Sequence, residues 1–366
     1  LEVVDQYQLK ANGDIVHHHQ HRIKLNTFFT TNSIFPDESV IYNPRYQELE
    51  IINASTIMKD GTENVTPARG KNEVMVDGAS GAPQYTHLRR RVISHTGVEV
   101  GCTLKFSYRL KSQNQFLPGL MQSEVIGHRV PLKKKIVKVI VPQGQNLNYG
   151  LFNADLQPEV ITKNNNKIYT WTFSNIDAIP LEENTPDRTN FTPYLVFSTI
   201  DSWKEIQQWL TRDIEAKLHL TDEIQRYIEK QIERIQDRRE KIFKIQDIVT
   251  QEIGSASFNP AWTGYRVNNI AQTCQYNVGN PLDKAYLLAA LLNHIGVESY
   301  PVILSGDRPF SQNVPGLMQF KDVAVAYNCE AGIEFLALAP PQNNNYAYQL
   351  AGQHYLPIKK NHDSIQ

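Results

Sequence analysis

The chain has 366 residues, 41% of them hydrophobic and 20% charged, with a formal net charge of −1. This is the composition of a folded globular protein, and at roughly 100–200 residues per domain the length suggests two domains or three. The near-zero charge argues against a bulk electrostatic partner such as nucleic acid or an anionic membrane. No apolar run reaches the roughly 20 residues of a membrane-spanning helix.

Residues 1–200 read as strands. Asn12-Gly13 and Asp60-Gly61 are hairpin-type turn dipeptides. From Ile15 to Leu25, alternate positions place Ile15, His17, His19, His21, Ile23 and Leu25 on one face. Three histidines on one face raise the question of a metal. Spacing of two along a strand sets side chains roughly 7 Å apart, wide for three ligands on one zinc, so no metal centre is expected and the row reads as a partly exposed polar strand. Val100, Cys102, Leu104, Phe106, Tyr108 and Leu110 keep a strict period of two and predict a strand with one buried face. Lys133-Lys134-Lys135 beside Ile136 and Val137 reads as the wet edge of a strand rather than a binding patch. Further strands are expected over 136–141, 168–173 and 194–197. Many short strands without interleaved helices predict antiparallel sheets packed as a sandwich.

The pattern changes after residue 200. Ser202 caps a helical run carrying Trp203, Ile206, Leu210 and Ile214. Thr221 opens a second run through Ile224, Ile228, Ile232 and Ile235. Asp237 with Glu240 opens a third, which Gly254 ends. A strongly apolar helix is predicted from Pro281 to about Ile295, with Asn280 as its cap and Leu287, Leu288, Leu291 and Leu292 buried. Strands are expected over 297–304, 322–327 and 333–338. The expected fold class is therefore α+β: an N-terminal antiparallel β-sandwich-type domain over 1–200, then leading helices and an α+β core over 201–366. Of the three cysteines, Cys102 reads as a buried small hydrophobe. Cys102, Cys274 and Cys329 are too few for a disulfide framework and too scattered for a zinc site.

The stretch from Trp262 to Leu304 holds Gly279-Asn280-Pro281-Leu282-Asp283-Lys284-Ala285, then Leu287-Leu288-Ala289-Ala290-Leu291-Leu292, then Gly296 and Pro301-Val302. It resembles the core of bacterial transglutaminase-like proteins, a branch of the papain-like cysteine enzymes. Their pattern is Gly-x-Cys-x-Asp-Lys-Ala, an apolar helix, a glycine and a strand ending in Pro-Val. The resemblance puts Pro281 at the nucleophilic cysteine. It puts Asp322 of Phe320-Lys321-Asp322-Val323 at the histidine, and Ala339 of Leu338-Ala339-Pro340 at the orienting acid. The N-terminal part resembles the β-rich domain of unknown function that precedes this core in bacterial envelope proteins. Such proteins often continue into a further β domain.

Family chemistry is acyl transfer or amide hydrolysis by a thiolate that a histidine deprotonates and an acid orients. Proline supplies no nucleophile and alanine orients nothing, so the resemblance implies a degenerate triad and no catalysis by those three positions. It implies a secreted, periplasmic or other envelope location, no cofactor, and an inherited cleft for a peptide, protein or glycan. Trp262 and Tyr265, just ahead of the motif, are candidate ligand contacts together with Asp322. The alternative is an active cysteine peptidase or transglutaminase with a relocated nucleophile, Cys274 or Cys329, paired with His294 or His354.

Overall fold

The computed structural model describes residues 1–32, 35–179, 185–212, 214–338, 350–360 and 365. The chain is α+β and divides into two compact units. One is Leu1–Val76 with His87–Asp201; the other is Asp77–Thr86 with Ser202–Gln366. The short segment Asp77–Thr86, expected with the first part, therefore folds with the second.

In the first unit a sheet of eight strands runs in the order Glu159–Lys163, Asn166–Ile176, Leu132–Pro142, Glu2–Leu9, Ile15–Lys24, Thr103–Ser112, Gln47–Ile57 and Glu63–Val65. The two predicted turns close its hairpins, with Gly13 and Gly61 at φ of 84° and 89°, where a side chain would be strained. Pairing is antiparallel throughout except between Glu2–Leu9 and Leu132–Pro142, which are parallel. Two three-stranded sheets accompany it: Asn148–Phe152, Tyr194–Ser198 and Met121–Val125; and Asp37–Tyr42, Arg89–Ser94 and Lys71–Met75. One core joins Tyr7, Val137, Val139 and Trp171 of the large sheet to Leu195 and Phe197 of the first small one. A second joins Ala54 and Phe106 to Val40 and Ile93 of the other. The periodic strand expected from Val100 begins only at Thr103. Gly101 at φ 95° turns the chain there and leaves Val100 exposed.

One polar reading of this unit changes. Lys135 does not lie on a wet edge: its strand is internal to the sheet, and while Lys133 and Lys134 are exposed, Lys135 is buried. The histidine row is partly exposed, as read from its polarity, and its face also carries core residues: His17 pairs across the sheet with Tyr7 and Leu110, and His21 with Phe106.

In the second unit the predicted helix caps all form. Ser202, Thr221 and Asp237 accept from the backbone N–H three residues on, opening Trp203–Thr211, Asp222–Ile232 and Arg238–Gln251. Ile214, expected in the first of these, falls in a separate short helix, Ile214–Lys217. The long helix Pro281–His294 starts with a capping box between Asn280 and Asp283. It is buried from Leu282 through Leu292. It packs on a four-stranded antiparallel sheet ordered Gly332–Leu336, Asp322–Cys329, Ser299–Leu304 and Tyr355–Pro357.

Candidate functional site

The start of the long helix is held by a buried polar knot. Asp283 accepts from the backbone N–H of Asn268 at 2.8 Å and from its side-chain amide at 3.0 Å. It also accepts from the Asn280 N–H at 3.3 Å and from the Tyr85 hydroxyl. The Tyr85 oxygen in turn accepts from Asn280 N–H at 3.0 Å. Burial raises the Asp283 carboxyl above the ordinary aspartate value, against the pull of these donors. Lys284 is buried as well and donates to the Ile253 carbonyl at 2.7 Å and Ser255 Oγ at 3.1 Å, and burial lowers its pKa. Gly279 leaves little room for a side chain: a Cβ would stand 3.0 Å from Asp283 Cβ and 3.1 Å from Thr273 Cγ2, so these neighbours would have to give by a few tenths of an ångström. The motif residues Gly279, Asp283 and Lys284 thus fasten the helix start to its surroundings whatever stands at 281.

Pro281 occupies the first helical position and opens on a cavity of about 340 Å³. The same cavity is lined by Tyr265, Phe320, Arg308, Lys321 and Asp322. Pro281 and Asp322, 41 residues apart by number, therefore meet at one cleft. Asp322 opens its strand opposite Leu304. Its carboxyl is raised by burial and by Asp307, while Lys321 and Arg308 pull the other way. Ala339 lies outside the described residues. Tyr265 holds the left-handed region at φ 56°, directly after Gly264 at φ 62°. For a bulky residue that costs on the order of 1–3 kcal/mol. It is fixed by its N–H to the Pro260 carbonyl at 2.8 Å and its hydroxyl to the Leu317 carbonyl at 3.0 Å. Trp262 does not line the cavity; it stands beside Phe258, ring centroids 6.3 Å apart.

The cleft lining contains neither cysteine nor histidine among the described residues. Cys274 and Cys329 both pack against the helical core. His294 pairs with Glu229 at 3.0 Å near the surface, and His354 stands against Phe310 at 4.7 Å between centroids. Burial pushes the Cys274 thiol from 9.0 up to about 11. At pH 8 its thiolate fraction falls about 100-fold below that of an ordinary thiol, at a factor of ten per pH unit. Iodoacetamide labelling of Cys274, followed by mass spectrometry, is expected to be slow at pH 8 and to accelerate toward pH 10. Complete labelling within the time taken by a free peptide thiol at pH 8 would contradict this.

A second constellation, in the first unit, escaped the sequence because its members come from separate strands. Asp5 is the cross-strand neighbour of His19. Its Oδ1 lies 3.0 Å from His17 Nε2 and 2.7 Å from His19 Nδ1. His19 Nε2 lies 3.0 Å from His21 Nδ1, and His21 Nε2 lies 2.9 Å from Glu38. On the other side Lys135 Nζ reaches Asp5 at 3.5 Å and Glu124 at 2.5 Å, and the Tyr7 hydroxyl donates to Glu124. These groups border a cavity of about 680 Å³. Burial opposes the charge on Asp5, but the bonds from His17 and His19 and the charge of Lys135 outweigh it and hold the carboxyl well below the usual range.

The architecture has a relative along its whole length. Residues 11–180 match a family model. That model describes DUF3857, a domain of unknown function with solved structure. The solved structure of a "putative protease" from Parabacteroides distasonis is 25% identical and superposes with a TM-score of 0.87, covering 100% of this chain and 70% of its own. A "putative cysteine protease" from Cytophaga hutchinsonii is 10% identical with a TM-score of 0.25, covering 89% of this chain and 76% of its own. No curated protein matches. Among the described residues no helix is long and apolar enough to cross a membrane.

Proposed function

We propose that this is a transglutaminase-like protein of the bacterial cell envelope that has lost thiol catalysis and uses the cleft at Pro281 to bind a peptide segment. One observation carries the reading. The helix start where the resemblance expects a nucleophile opens on a cleft lined by Pro281 and Asp322, with no thiol or imidazole among its described lining. The 25% identity to a "putative protease" over the whole chain supports a fold derived from peptide-handling ancestors. The cleft lining supports binding: Phe258, Tyr265 and Phe320 offer apolar faces, and Arg308, Lys321 and Asp322 offer charges to fix a backbone or a carboxylate. The strained Tyr265 backbone is the kind of outlier that surrounding structure retains at ligand clamps.

The full chain is expected to release nothing above blank from fluorogenic peptide amides, and to incorporate no amine into glutamine peptides, with or without iodoacetamide. A panel of short acidic, basic and apolar peptides is expected to include binders detectable by calorimetry. Their affinity should fall about tenfold in Arg308→Gln or Asp322→Asn, the loss of one charge-assisted hydrogen bond. Iodoacetamide-sensitive turnover abolished by Cys274→Ala or Cys329→Ala would overturn the non-catalytic reading. Absence of any peptide binder would overturn the binding role.

A further inference from the structure

We propose that Asp5, His17 and His19 form a binding site for one divalent transition-metal ion of the zinc type, open to the cavity of the first unit. His-x-His on one strand with a carboxylate on its neighbour is a rigid arrangement, because all three residues stand on adjoining internal strands of the eight-stranded sheet. The expectation from strand spacing alone was that the side chains stand too far apart. It counted only the His17–His19 backbone separation. The rings turn toward Asp5, and one ligand atom from each residue lies within 4.8 Å of the others. Donors on a tetrahedral zinc at about 2.0–2.1 Å are about 3.3 Å apart, so the observed 2.7 and 3.0 Å need only a small outward turn to admit the ion.

The hydrogen-bond chain behind His19 points the same way: His19 Nε2 lies 3.0 Å from His21 Nδ1, and His21 Nε2 lies 2.9 Å from Glu38. A ligating histidine whose second nitrogen is tied through hydrogen bonds to a carboxylate is the usual outer support of a metal site. The wider field suits a dication. Among the described residues, the charged side chains lining the cavity are the carboxylates of Asp5, Asp37, Glu38 and Glu124 and the ammonium of Lys135, with the α-amino group of Leu1 beside them. Lys135 engages the second Asp5 oxygen, leaving Oδ1 for the ion. Imidazole with carboxylate favours zinc-type ions over calcium or magnesium, which prefer all-oxygen sites. Three protein ligands leave a coordination position facing the cavity.

The test is titration of the chelator-treated full chain with Zn²⁺ alone, read by competition with a chromophoric chelator, and with Co²⁺ read by visible absorption. The expected result is one ion per chain in the micromolar range or tighter, and a Co²⁺ spectrum of nitrogen and oxygen ligands without a thiolate charge-transfer band. His17→Gln and His19→Gln should each weaken Zn²⁺ by more than about 100-fold, and Glu38→Gln, acting through His21, by about tenfold. His18→Gln, on the opposite face of the same strand, should change nothing. Absence of saturable binding would overturn the proposal. Unchanged affinity in both histidine variants would overturn it too. So would a thiolate band in the wild-type Co²⁺ spectrum, which needs no variant to fold.

Discussion

Asp283→Ala is expected to lower the unfolding free energy of the second unit by about 3–5 kcal/mol, as removal of one member of a buried, fully bonded polar group does. The carboxylate is 1% exposed and receives the Tyr85 hydroxyl, both Asn268 donors and the Asn280 N–H. Truncation leaves these donors facing a small hole that they cannot all fill among themselves. It also removes half of the capping box at the start of the helix that forms the unit's core. Tyr85→Phe alone removes one donor, and the double variant should lose less than the sum of the two single losses, because the tyrosine hydroxyl is no longer left unpaired. Urea denaturation of the three variants measures this; a loss below about 1 kcal/mol for Asp283→Ala would mean that water replaces the carboxylate. The pH dependence has a definite sign. A carboxyl raised by burial binds its proton more tightly folded than unfolded, so its contribution to stability declines as pH climbs from the unfolded value of 3.8 through the raised one. Asp283→Ala should remove that decline.

Lys135→Met should cost the first unit about 3–5 kcal/mol in metal-free buffer, the range for stripping one partner from a buried ion pair. Lys135 and Glu124 are each 9% exposed, and the ammonium reaches Glu124 at 2.5 Å and Asp5 at 3.5 Å. Burial works against its charge, yet Glu124 and Asp5 hold the lysine above its ordinary value. Methionine fills similar volume, so the loss reports charge rather than a cavity. Glu124→Gln added to Lys135→Met should recover part of it, since one of the two stranded carboxylates is neutralised. Thermal and urea unfolding of the single and double variants decide the matter. A double variant less stable than Lys135→Met would show that Glu124 is needed for its bond to Tyr7 rather than for the ion pair.

The elements legible in the sequence are those whose determinants are local. Asn280, Ser202, Thr221 and Asp237 each cap a helix through a bond to the residue three positions on, so their neighbours in sequence suffice. Asn12-Gly13 and Asp60-Gly61 set their turns through the glycine's positive φ and a side-chain bond from the backbone N–H two residues on. The alternation in 15–25 correctly put Ile15, His17, His19, His21 and Ile23 on one face. It could not say which way that face looks, because three imidazoles argued for water while the isoleucines argued for a core. What only the tertiary structure decided depends on residues far apart in the chain. Tyr85 and Asp283 are 198 positions apart, and their bond, with those of Tyr85 to Asn280 and of Gln84 to Val278, ties the ten-residue segment Asp77–Thr86 to the second unit. Lys135 looked like its exposed neighbours Lys133 and Lys134 until Glu124, on another sheet, and Asp5, on a parallel partner strand, were placed beside it. Local propensity acts through the backbone over a few residues. A buried charge is tolerated only where distant chain segments deliver its partners, and that delivery is a property of the packed sheets.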